Sequence, residues 1–402
     1  MKFFNKKNIQ FKRKLSFSER GYFAFTKILP TFYAHMVIEG EGNSKIDINK
    51  LKSAISVSSE ANPGFRLVLR GFLNFCYLED SGVPPPLRVV ENSAWDGLSS
   101  DNTDFLDEIL DAREGPTCDV IYLKGSPNRI IFRAHHMVMD GMGLILWAED
   151  IFKILRGAKP VSFFSEVTEY DLAKSIGNVS RRWFPQDNIA PTGKAYGGTS
   201  LKSRWIRRRV TGKFSNLTGQ IAVLLAAEAR KYADGNFWVS IPVDLRQRKN
   251  NFKTTRNFSG IIYVEVKPEH SVSDISANIR HQLNNSEDLT FDIEDVYCRY
   301  IPVSIMKSFI NRRVLKRHSK SLYGSSATIS NLGFIDIEKF SGGGFNPDTI
   351  FFFVQQGYNP AFFALNRLET AVEITLSVPD VLRTDGRDER LMDAIVNGLI
   401  AK

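Results

Sequence analysis

Four residues in the first half of the sequence have the types and the spacing needed for acid–base chemistry. Two adjacent histidines, His135 and His136, are followed by Asp140 and Gly141. Histidine exchanges a proton near neutral pH, and a nearby carboxylate can orient an imidazole or stabilise its charge. The segment therefore predicts a general-base site, in which one histidine removes a proton from a nucleophile.

The sequence around these residues indicates how the fold would present them. An apolar run, residues 130–132, comes directly before the histidines, and a strongly helical run, residues 144–155, follows. A buried strand that leads through a turn into a helix would bring the polar residues to the end of the strand. A substrate could reach them there.

Two adjacent histidines at the end of a strand point to opposite faces. Diverging imidazoles do not readily bind one ion, so we expect no metal site at His135 and His136. One ring is expected to be structural and the other to act as the base. Asp140 could orient the imidazole, as in a catalytic triad, or bind a cation elsewhere and hold the loop. The purely structural alternative is a buried histidine pair followed by an Asp-Gly turn.

The remaining sequence alternates between helical and strand-like patterns, which indicates a mixed α/β fold. Between about residues 157 and 198 the apolar periodicity fades and Pro and Gly accumulate, which predicts an irregular crossover between two halves. The predicted helices cover residues 47–58, 103–112, 144–155, 217–231 and 387–400, with another from 273 onwards. The predicted strands cover residues 119–123, 129–134, 237–243, 261–266, 349–354, 361–365 and 371–378.

Cysteine usage and hydropathy favour a soluble protein in a reducing compartment. The three cysteines, Cys76, Cys118 and Cys298, lie far apart and form no CxxC pair. This argues against a disulfide framework and against a thiolate zinc site. No apolar run approaches the roughly 20 residues needed to span a membrane, and no signal peptide is recognisable. We therefore expect a cytoplasmic protein that does not use a membrane surface as its partner.

The net charge of +9 comes mainly from three basic clusters, at residues 6–14, 202–209 and 312–317. Such clusters can be solvated faces, or they can attract an anionic partner. Thioester donors that carry phosphate or acidic groups, namely coenzyme A or an acidic carrier protein, would fit the second interpretation. The sequence has no zinc-finger spacing and no RNA-binding signature, so we expect no nucleic-acid partner.

The HHxxxDG pattern of the four residues resembles the signature of the condensation-domain and chloramphenicol-acetyltransferase-like superfamily. That superfamily includes nonribosomal peptide condensation domains, polyketide-associated acyltransferases, wax ester synthases and alcohol acyltransferases. Four other segments resemble family motifs in the same order along the chain. They are residues 15–20 (the opening segment), 48–66 (the first helix and the hPxLR segment after it), 240–246 (the PVxxR strand) and 330–333 (a motif of free-standing acyltransferases).

The resemblance implies two chloramphenicol-acetyltransferase-like lobes that form a V-shape with a tunnel between them. Residues 1–165 would form the N-terminal lobe that carries HHxxxDG, residues 166–205 an irregular crossover and residues 206–402 the C-terminal lobe. A thioester donor and a small-molecule acceptor would enter from opposite ends of the tunnel and meet at the histidine.

Roles for individual residues also follow from the resemblance. His136 would be the catalytic base, and His135 would support the site. Asp140 would pair with an arginine of the other lobe, for which Arg246 is the best match by its place in the PVxxR segment. Gly141 would be needed because a side chain there would crowd the tunnel or forbid the turn.

The DFGWG segment of plant alcohol acyltransferases is missing, and its nearest counterpart contains Ser330, Asn331 and Gly333. These residues are expected near the donor or the oxyanion, although an ordinary strand-ending turn is an alternative. The implied activity is transfer of an acyl group to a hydroxyl acceptor, with acyl-coenzyme A or a phosphopantetheine thioester as co-substrate and no bound cofactor. Three alternative functions stay open. The protein could form an amide with an amine, it could be an inactive relative that binds a carrier protein, or it could form lipids at a membrane surface.

Overall fold

The computed structural model of the chain describes residues 11–42, 44–73, 75–91, 93–163, 165–176, 183–196, 200–291, 297 and 300–401. Cys298, Gly197, Gly198 and the part of the first basic cluster before residue 11 lie outside the described residues. Cys76 and Cys118 are buried free thiols. Within the described residues, no helix combines the length and the apolar character needed to cross a membrane.

Helices and strands alternate along most of the chain. The α-helices among the described residues are α1 (Phe17–Thr26), α2 (Ile48–Ala61), α3 (Gly141–Leu155), α4 (Glu169–Ile176), α5 (Leu217–Arg230), α6 (Val272–Asn284), α7 (Val303–Lys320) and α8 (Arg387–Ile400). The strands are β1 (Lys12–Lys14), β2 (Tyr33–Gly40), β3 (Leu67–Arg70), β4 (Tyr77–Asp80), β5 (Leu87–Val90), β6 (Cys118–Leu123), β7 (Arg129–His135), β8 (Ser203–Thr211), β9 (Trp238–Asp244), β10 (Ser259–Glu265), β11 (Ala327–Phe334), β12 (Pro347–Val354), β13 (Phe362–Arg367) and β14 (Ala371–Pro379).

Two mixed sheets organise these elements. The first sheet has the strand order β12-β2-β7-β6-β5, and the second has the order β10-β9-β11-β13-β14-β8. A small third sheet has the order β1-β4-β3. Strand β12 comes from the second half of the chain but pairs antiparallel with β2 at the edge of the first sheet. The second half of the sequence therefore completes the sheet that carries the histidines.

Each large sheet has its own apolar core. On the first sheet, Phe132 of β7 lies in one buried cluster with Leu144, Trp147 and Ile151 of α3. On the second sheet, buried residues of β9, β10, β11, β13 and β14 pack with α5, α6 and α8. Burial of apolar side chains on this scale is the main favourable contribution to folding. It fixes β7 and α3, and with them the turn that joins these two elements.

A buried ion network joins the two sheets. Arg207 of β8 donates hydrogen bonds to Glu373 of β14 at 2.8 Å and to Glu39 of β2 at 3.0 Å. Its guanidinium carbon also lies 3.8 Å from the centre of the Phe351 ring of β12. Because the same cation satisfies a carboxylate on each sheet, this contact fixes one sheet against the other.

The mixed α/β class predicted from the sequence is confirmed. The predicted helix over residues 103–112 is wrong, because this segment contains only a short 3-10 turn, Asp104–Leu106. The backbone carbonyls of Leu106 and Glu108 accept hydrogen bonds from buried Arg133, so they are not used in helical bonds. The predicted irregular crossover contains helix α4.

The sheets do not follow the predicted lobe boundaries residue by residue. The boundary between residues 205 and 206 falls inside β8, and β12 of the second half lies in the first sheet. The division into residues 1–165, 166–205 and 206–402 stays a prediction.

Candidate active site

The turn between β7 and α3 carries the HHxxxDG residues. Strand β7 ends at His135, and α3 begins at Gly141 after Asp140. The Asp140 side chain caps the helix, because its Oδ1 accepts a hydrogen bond of 2.8 Å from the Gly143 amide. Asn, Asp, Ser and Thr are favoured at this position because their side chains satisfy free amides of the first turn. The sequence signal for a strand, a turn and a helix is therefore matched by the structure.

Two aromatic rings pack against the imidazole of His136. The Tyr22 ring of α1 is stacked on it with 4.2 Å between ring centres, and the Phe32 ring is stacked at 5.2 Å. The two ring contacts restrict rotation of the imidazole. His136 lines a large cavity, together with Tyr22 and Phe32.

Asn257 of the loop before β10 makes two hydrogen bonds with His136. Its Nδ2 donates to the His136 backbone oxygen at 2.6 Å, and its Oδ1 lies 3.1 Å from His136 Nδ1. The carbonyl oxygen of His136 can only accept, so the first bond fixes the orientation of the asparagine amide. Oδ1 can also only accept, so Nδ1 must carry the proton. Nε2 then holds the lone pair that a general base needs.

Burial keeps His136 neutral. The pKa of His136 is lowered below its ordinary value, because removal from water disfavours the charged ring. The hydrogen bond to its own backbone, the charge of Asp140 and the contact with Asn257 act in the opposite direction. A neutral imidazole with a lone pair on Nε2 is able to accept a proton near pH 7.

His135 has a different environment, as the alternation of strand side chains predicts. The residue is 2% exposed, and its Nδ1 accepts a hydrogen bond of 3.1 Å from the Met137 amide. Burial lowers the pKa of His135 to about 3, so this ring is neutral at any physiological pH. His135 thus supports the turn from inside the core.

Asp140 connects the turn to the second half of the chain. Arg246 Nη2 donates to Asp140 Oδ1 at 2.8 Å, and the Phe258 amide donates to Asp140 Oδ2 at 2.9 Å. Arg246 also donates to Asp244 at 2.6 Å and to the Thr254 carbonyl at 2.8 Å. Of the two roles left open for Asp140, the contacts support the one that holds the loop. Arg246 is 6% exposed, so it is not an ordinary exposed strand-end arginine.

The structure changes the reasoning for Gly141. This glycine has no positive φ, so the prediction that a side chain would forbid the turn is wrong. A Cβ at Gly141 would lie 3.1 Å from Leu332 Cδ2 on the cavity wall, which is a tight contact with a movable side chain. At Gly143, a Cβ would overlap the backbone oxygen of Thr255 and lie 2.6 Å from Met139 Cγ. The strict requirement for glycine therefore lies at position 143.

The cavity beside His136 has a volume of about 850 Å³. Its walls come from α1 and β12 on the side of the first sheet and from β9, β10, β11, α6 and α7 on the side of the second. Most lining side chains are apolar, including Phe25, Ile241, Ile261 and Leu283. A cavity of this size holds a ligand of drug size or a medium-length acyl chain with a second small molecule.

Ser330, Asn331 and Gly333 lie near the end of strand β11 and line the cavity. The strand is irregular between Asn331 and Phe334, and a role near the donor or the oxyanion stays a prediction. Asn331 donates to Thr218 Oγ1 at 3.1 Å and accepts from the Gly333 amide at 2.9 Å. The Gly333 amide is therefore occupied by Asn331 and is not free to stabilise an oxyanion. The Ser330 hydroxyl has no hydrogen-bond partner among the described residues.

Asn257, Tyr22 and Phe32 were missed from the sequence, although they contact His136 directly. The distance of 121 residues between His136 and Asn257 leaves no local periodic signal. Tyr22 lies two residues after the segment 15–20 that resembled the opening motif, which was the available signal for an adjacent site residue.

No protein-family model and no curated protein sequence matches this chain. Solved structures match it over nearly its whole length. The first condensation domain of the calcium-dependent antibiotic synthetase matches with a TM-score of 0.68 and 14% identity, over 97% of this chain and 95% of that chain. The chain has the condensation-domain fold. The two-lobe architecture predicted from the sequence is thereby confirmed.

Other proteins with the condensation-domain fold match to a similar extent. The starter condensation domain of rhizomide synthetase, as a mutant in complex with C8-CoA and Leu-SNAC, matches with a TM-score of 0.64 and 14% identity, over 97% of this chain and 95% of that chain. The epimerization domain from the third module of tyrocidine synthetase B matches with a TM-score of 0.57 and 12% identity, over 99% and 98% of the two chains. The fold thus carries more than one reaction, so function must be argued from the site.

Proposed function

We propose that this chain is an acyltransferase that moves an acyl group from a thioester to a hydroxyl acceptor and forms an ester. His136 acts as the general base. The observation that carries the proposal is the pair of Asn257 hydrogen bonds, which leaves the lone pair on His136 Nε2 in a neutral ring at the wall of a large apolar cavity. A base of this kind has use only where a bound substrate has a proton to remove.

The transfer follows from this arrangement in two steps. His136 Nε2 accepts the proton of the acceptor hydroxyl while the hydroxyl oxygen attacks the thioester carbonyl carbon. The tetrahedral intermediate then collapses, the carbon–sulfur bond breaks, and the protonated His136 returns its proton to the departing thiolate. Base catalysis of this type contributes about 10²- to 10⁴-fold, and holding two substrates in one cavity contributes more.

The negative oxygen of the intermediate needs donors nearby. The Ser330 hydroxyl and the first turn of α3 supply candidates, because Ser330, Gly141 and Met142 line the same cavity as His136. The N-terminus of a helix carries partial positive charge, which favours a developing anion. His135, Asp140 and Arg246 hold the turn in place, as their contacts support, and need not touch the substrate.

Two donors are compatible with the site, coenzyme A thioesters and carrier-protein thioesters. The starter domain of rhizomide synthetase was solved with C8-CoA, and the first domain of the calcium-dependent antibiotic synthetase with a substrate analogue. These ligands support a thioester co-substrate for a cavity of this fold. The protein needs no bound cofactor for the two steps above, and a cytoplasmic location stays a prediction.

An amide-forming reaction with an amine acceptor is the second candidate. It is favoured by the condensation domains among the structures of the same fold, one of which was solved with Leu-SNAC. The same His136 would deprotonate an amine during its attack. The hydroxyl acceptor is preferred here because residues 330–333 resemble the free-standing acyltransferases.

A panel of acyl-coenzyme A thioesters, each mixed with alcohols or amines, tests the proposal. We expect thiol release that depends on an acceptor, with an ester identified by mass spectrometry. An amide product would establish the second candidate. If carrier-bound thioesters also gave no release, the chain would be a carrier-binding relative without activity, and the proposal would be wrong.

A further inference from the structure

One face of helix α7 lines the same cavity as His136. Phe309, Ile310, Arg313, Val314 and Arg317 all contribute to the wall. Their spacing of three and four residues places them in one stripe along the helix. The first two members are apolar, and the two arginines lie in the second half of the stripe on either side of Val314, so positive charge is added to the cavity wall towards the end of α7.

Helix α7 is strongly basic. It contains six Lys or Arg residues and no Asp or Glu. Among the described residues, the side chains of Arg313 and Arg317 make no ion pair and no hydrogen bond, unlike Arg207 and Arg246, which are satisfied by carboxylates. Two cations four residues apart on a helix repel each other, so this arrangement costs stability when nothing neutralises it.

Arg317 is the less exposed of the two arginines. Its guanidinium lies over the backbone of Gly324, where a Cβ would overlap it. Burial and the charge of Arg313 lower the pKa of Arg317 to about 10. The charges of Tyr263 and of the exposed Asp187 act in the opposite direction. The guanidinium lies beside the cavity, and no side chain among the described residues forms an ion pair or a hydrogen bond with it.

The two arginines lie further along α7 than Ile310, which packs near the base. Ile310 packs in the cluster that contains Phe32, whose ring is stacked on His136. Arg317 follows Ile310 by seven residues, which corresponds to about 10 Å along a helix. Because His136, Arg313 and Arg317 line one cavity, a substrate that reaches along α7 could place its reactive group beside the base and an anionic group at the arginines.

We propose that Arg313 and Arg317 form an anion-binding end of the cavity, which receives the phosphate or carboxylate of a substrate that enters beside α7. Guanidinium groups bind both anions through charge-assisted hydrogen bonds. This inference rests on the proposed function, because it names a feature of the substrate of that same site. It also assigns a role to the basic cluster at residues 312–317, of which Arg312 does not line the cavity.

Calorimetric binding to the full-length protein tests the anion site without any need for catalysis. Two pairs of probes are compared, each with an anionic and a neutral member. The first pair is coenzyme A and pantetheine, which lacks the phosphates. The second pair is a medium-chain hydroxy acid and its neutral amide. We expect the wild type to prefer the anionic member of at least one pair. Arg317→Gln and Arg313→Gln should each weaken that binding by about 10- to 100-fold, with little effect on the neutral member.

Arg312→Gln is the matched control, because it removes the same charge from the same helix outside the cavity wall. Gly324→Ala should weaken anion binding by displacing Arg317 while leaving the charge unchanged. Discrimination between coenzyme A and pantetheine would assign the site to a phosphate, and discrimination between acid and amide to a carboxylate.

The inference is overturned if the wild type binds the anionic and neutral members equally, or if Arg312→Gln weakens binding as much as Arg317→Gln. The second result would show only a general basic surface. If the wild type prefers the anionic probes but transfers no acyl group, the proposed function is wrong and the anion site is still supported.

Discussion

The proton on His136 is placed by one asparagine side chain from the other half of the chain. Asn257 lies in contact with both the ring and the backbone of His136 and is 1% exposed. The tautomer of a histidine is set by the hydrogen bond that its other nitrogen makes. Asn257 is therefore a positioning residue, and its effect should be visible in the pH dependence of the reaction.

Asn257→Asp should raise the pKa of His136, because a carboxylate beside Nδ1 favours the charged imidazole. The acid limb of kcat/KM against pH would then move to higher pH. Asn257→Ala should lower kcat by about 10- to 100-fold, since the tautomer is no longer fixed. Rate measurements between pH 5 and pH 9 check both outcomes.

Asn366 provides a control for these variants. It is also a buried asparagine whose Nδ2 donates to a backbone oxygen, that of Ile350 at 2.8 Å, but it does not line the cavity. Asn366→Asp should lower stability without moving the acid limb. A shift of the same size in Asn366→Asp and Asn257→Asp would reject the positioning role.

At the scale of elements, the start of α3 is held against the loop that precedes β10. A Cβ at Gly143 would overlap the Thr255 oxygen, whereas a Cβ at Gly141 would meet only Leu332. Gly143→Ala should therefore destabilise the protein by about 1–3 kcal/mol or more, and Gly141→Ala by much less. Urea unfolding of the two variants compares the same substitution two positions apart. Equal effects would show that the close approach of α3 to Thr255 is not important.

The Asp140–Arg246 ion pair makes a second link between α3 and the other half of the chain. Removing one partner from a buried pair leaves an uncompensated charge and costs about 3–5 kcal/mol. Asp140→Ala should thus lower stability strongly, since the helix cap is lost as well. Thermal unfolding measures the effect. An unfolding midpoint equal to that of wild type would contradict the role of Asp140 in holding the turn.

The sequence was informative where structure is local. The strand–turn–helix pattern placed His136 and Asp140 correctly, and the PVxxR resemblance found Arg246 as the partner now seen at 2.8 Å. It was uninformative where contacts are distant. The contact of Asn257 with His136 and the pairing of β12 with β2 depend on chain segments more than 100 residues apart. The helix expected over residues 103–112 failed because Arg133, from another element, binds its carbonyls.

At the scale of the whole molecule, neutral buried histidines make stability depend on pH. Burial lowers the pKa of His35 and of His135 to about 3 each, against about 6.5 when unfolded. The unfolded chain therefore binds more protons below pH 6.5. The contribution of these groups to stability is complete above pH 6.5 and is lost progressively as the pH falls towards 3.

Each of the two histidines should remove about 1.4 kcal/mol of unfolding free energy per pH unit below pH 6.5. Urea unfolding at pH 7.5 and pH 5.0 measures the loss. His35→Phe keeps a ring next to Phe353 and removes one titrating group, so the loss should be smaller in this variant. Equal unfolding free energies of the wild type at the two pH values would contradict the burial of neutral imidazoles.

The two sheets, the ion network at Arg207 and the contacts of Asp140 together form a frame that holds one base at a cavity wall. The most direct test compares acceptor-dependent thiol release by the wild type and by His136→Ala, with the unfolding midpoints of both. We expect release to fall by about 100-fold or more while the midpoint stays close to that of wild type. A folded His136→Ala variant that transfers acyl groups at the wild-type rate would contradict the assignment of His136 as the base.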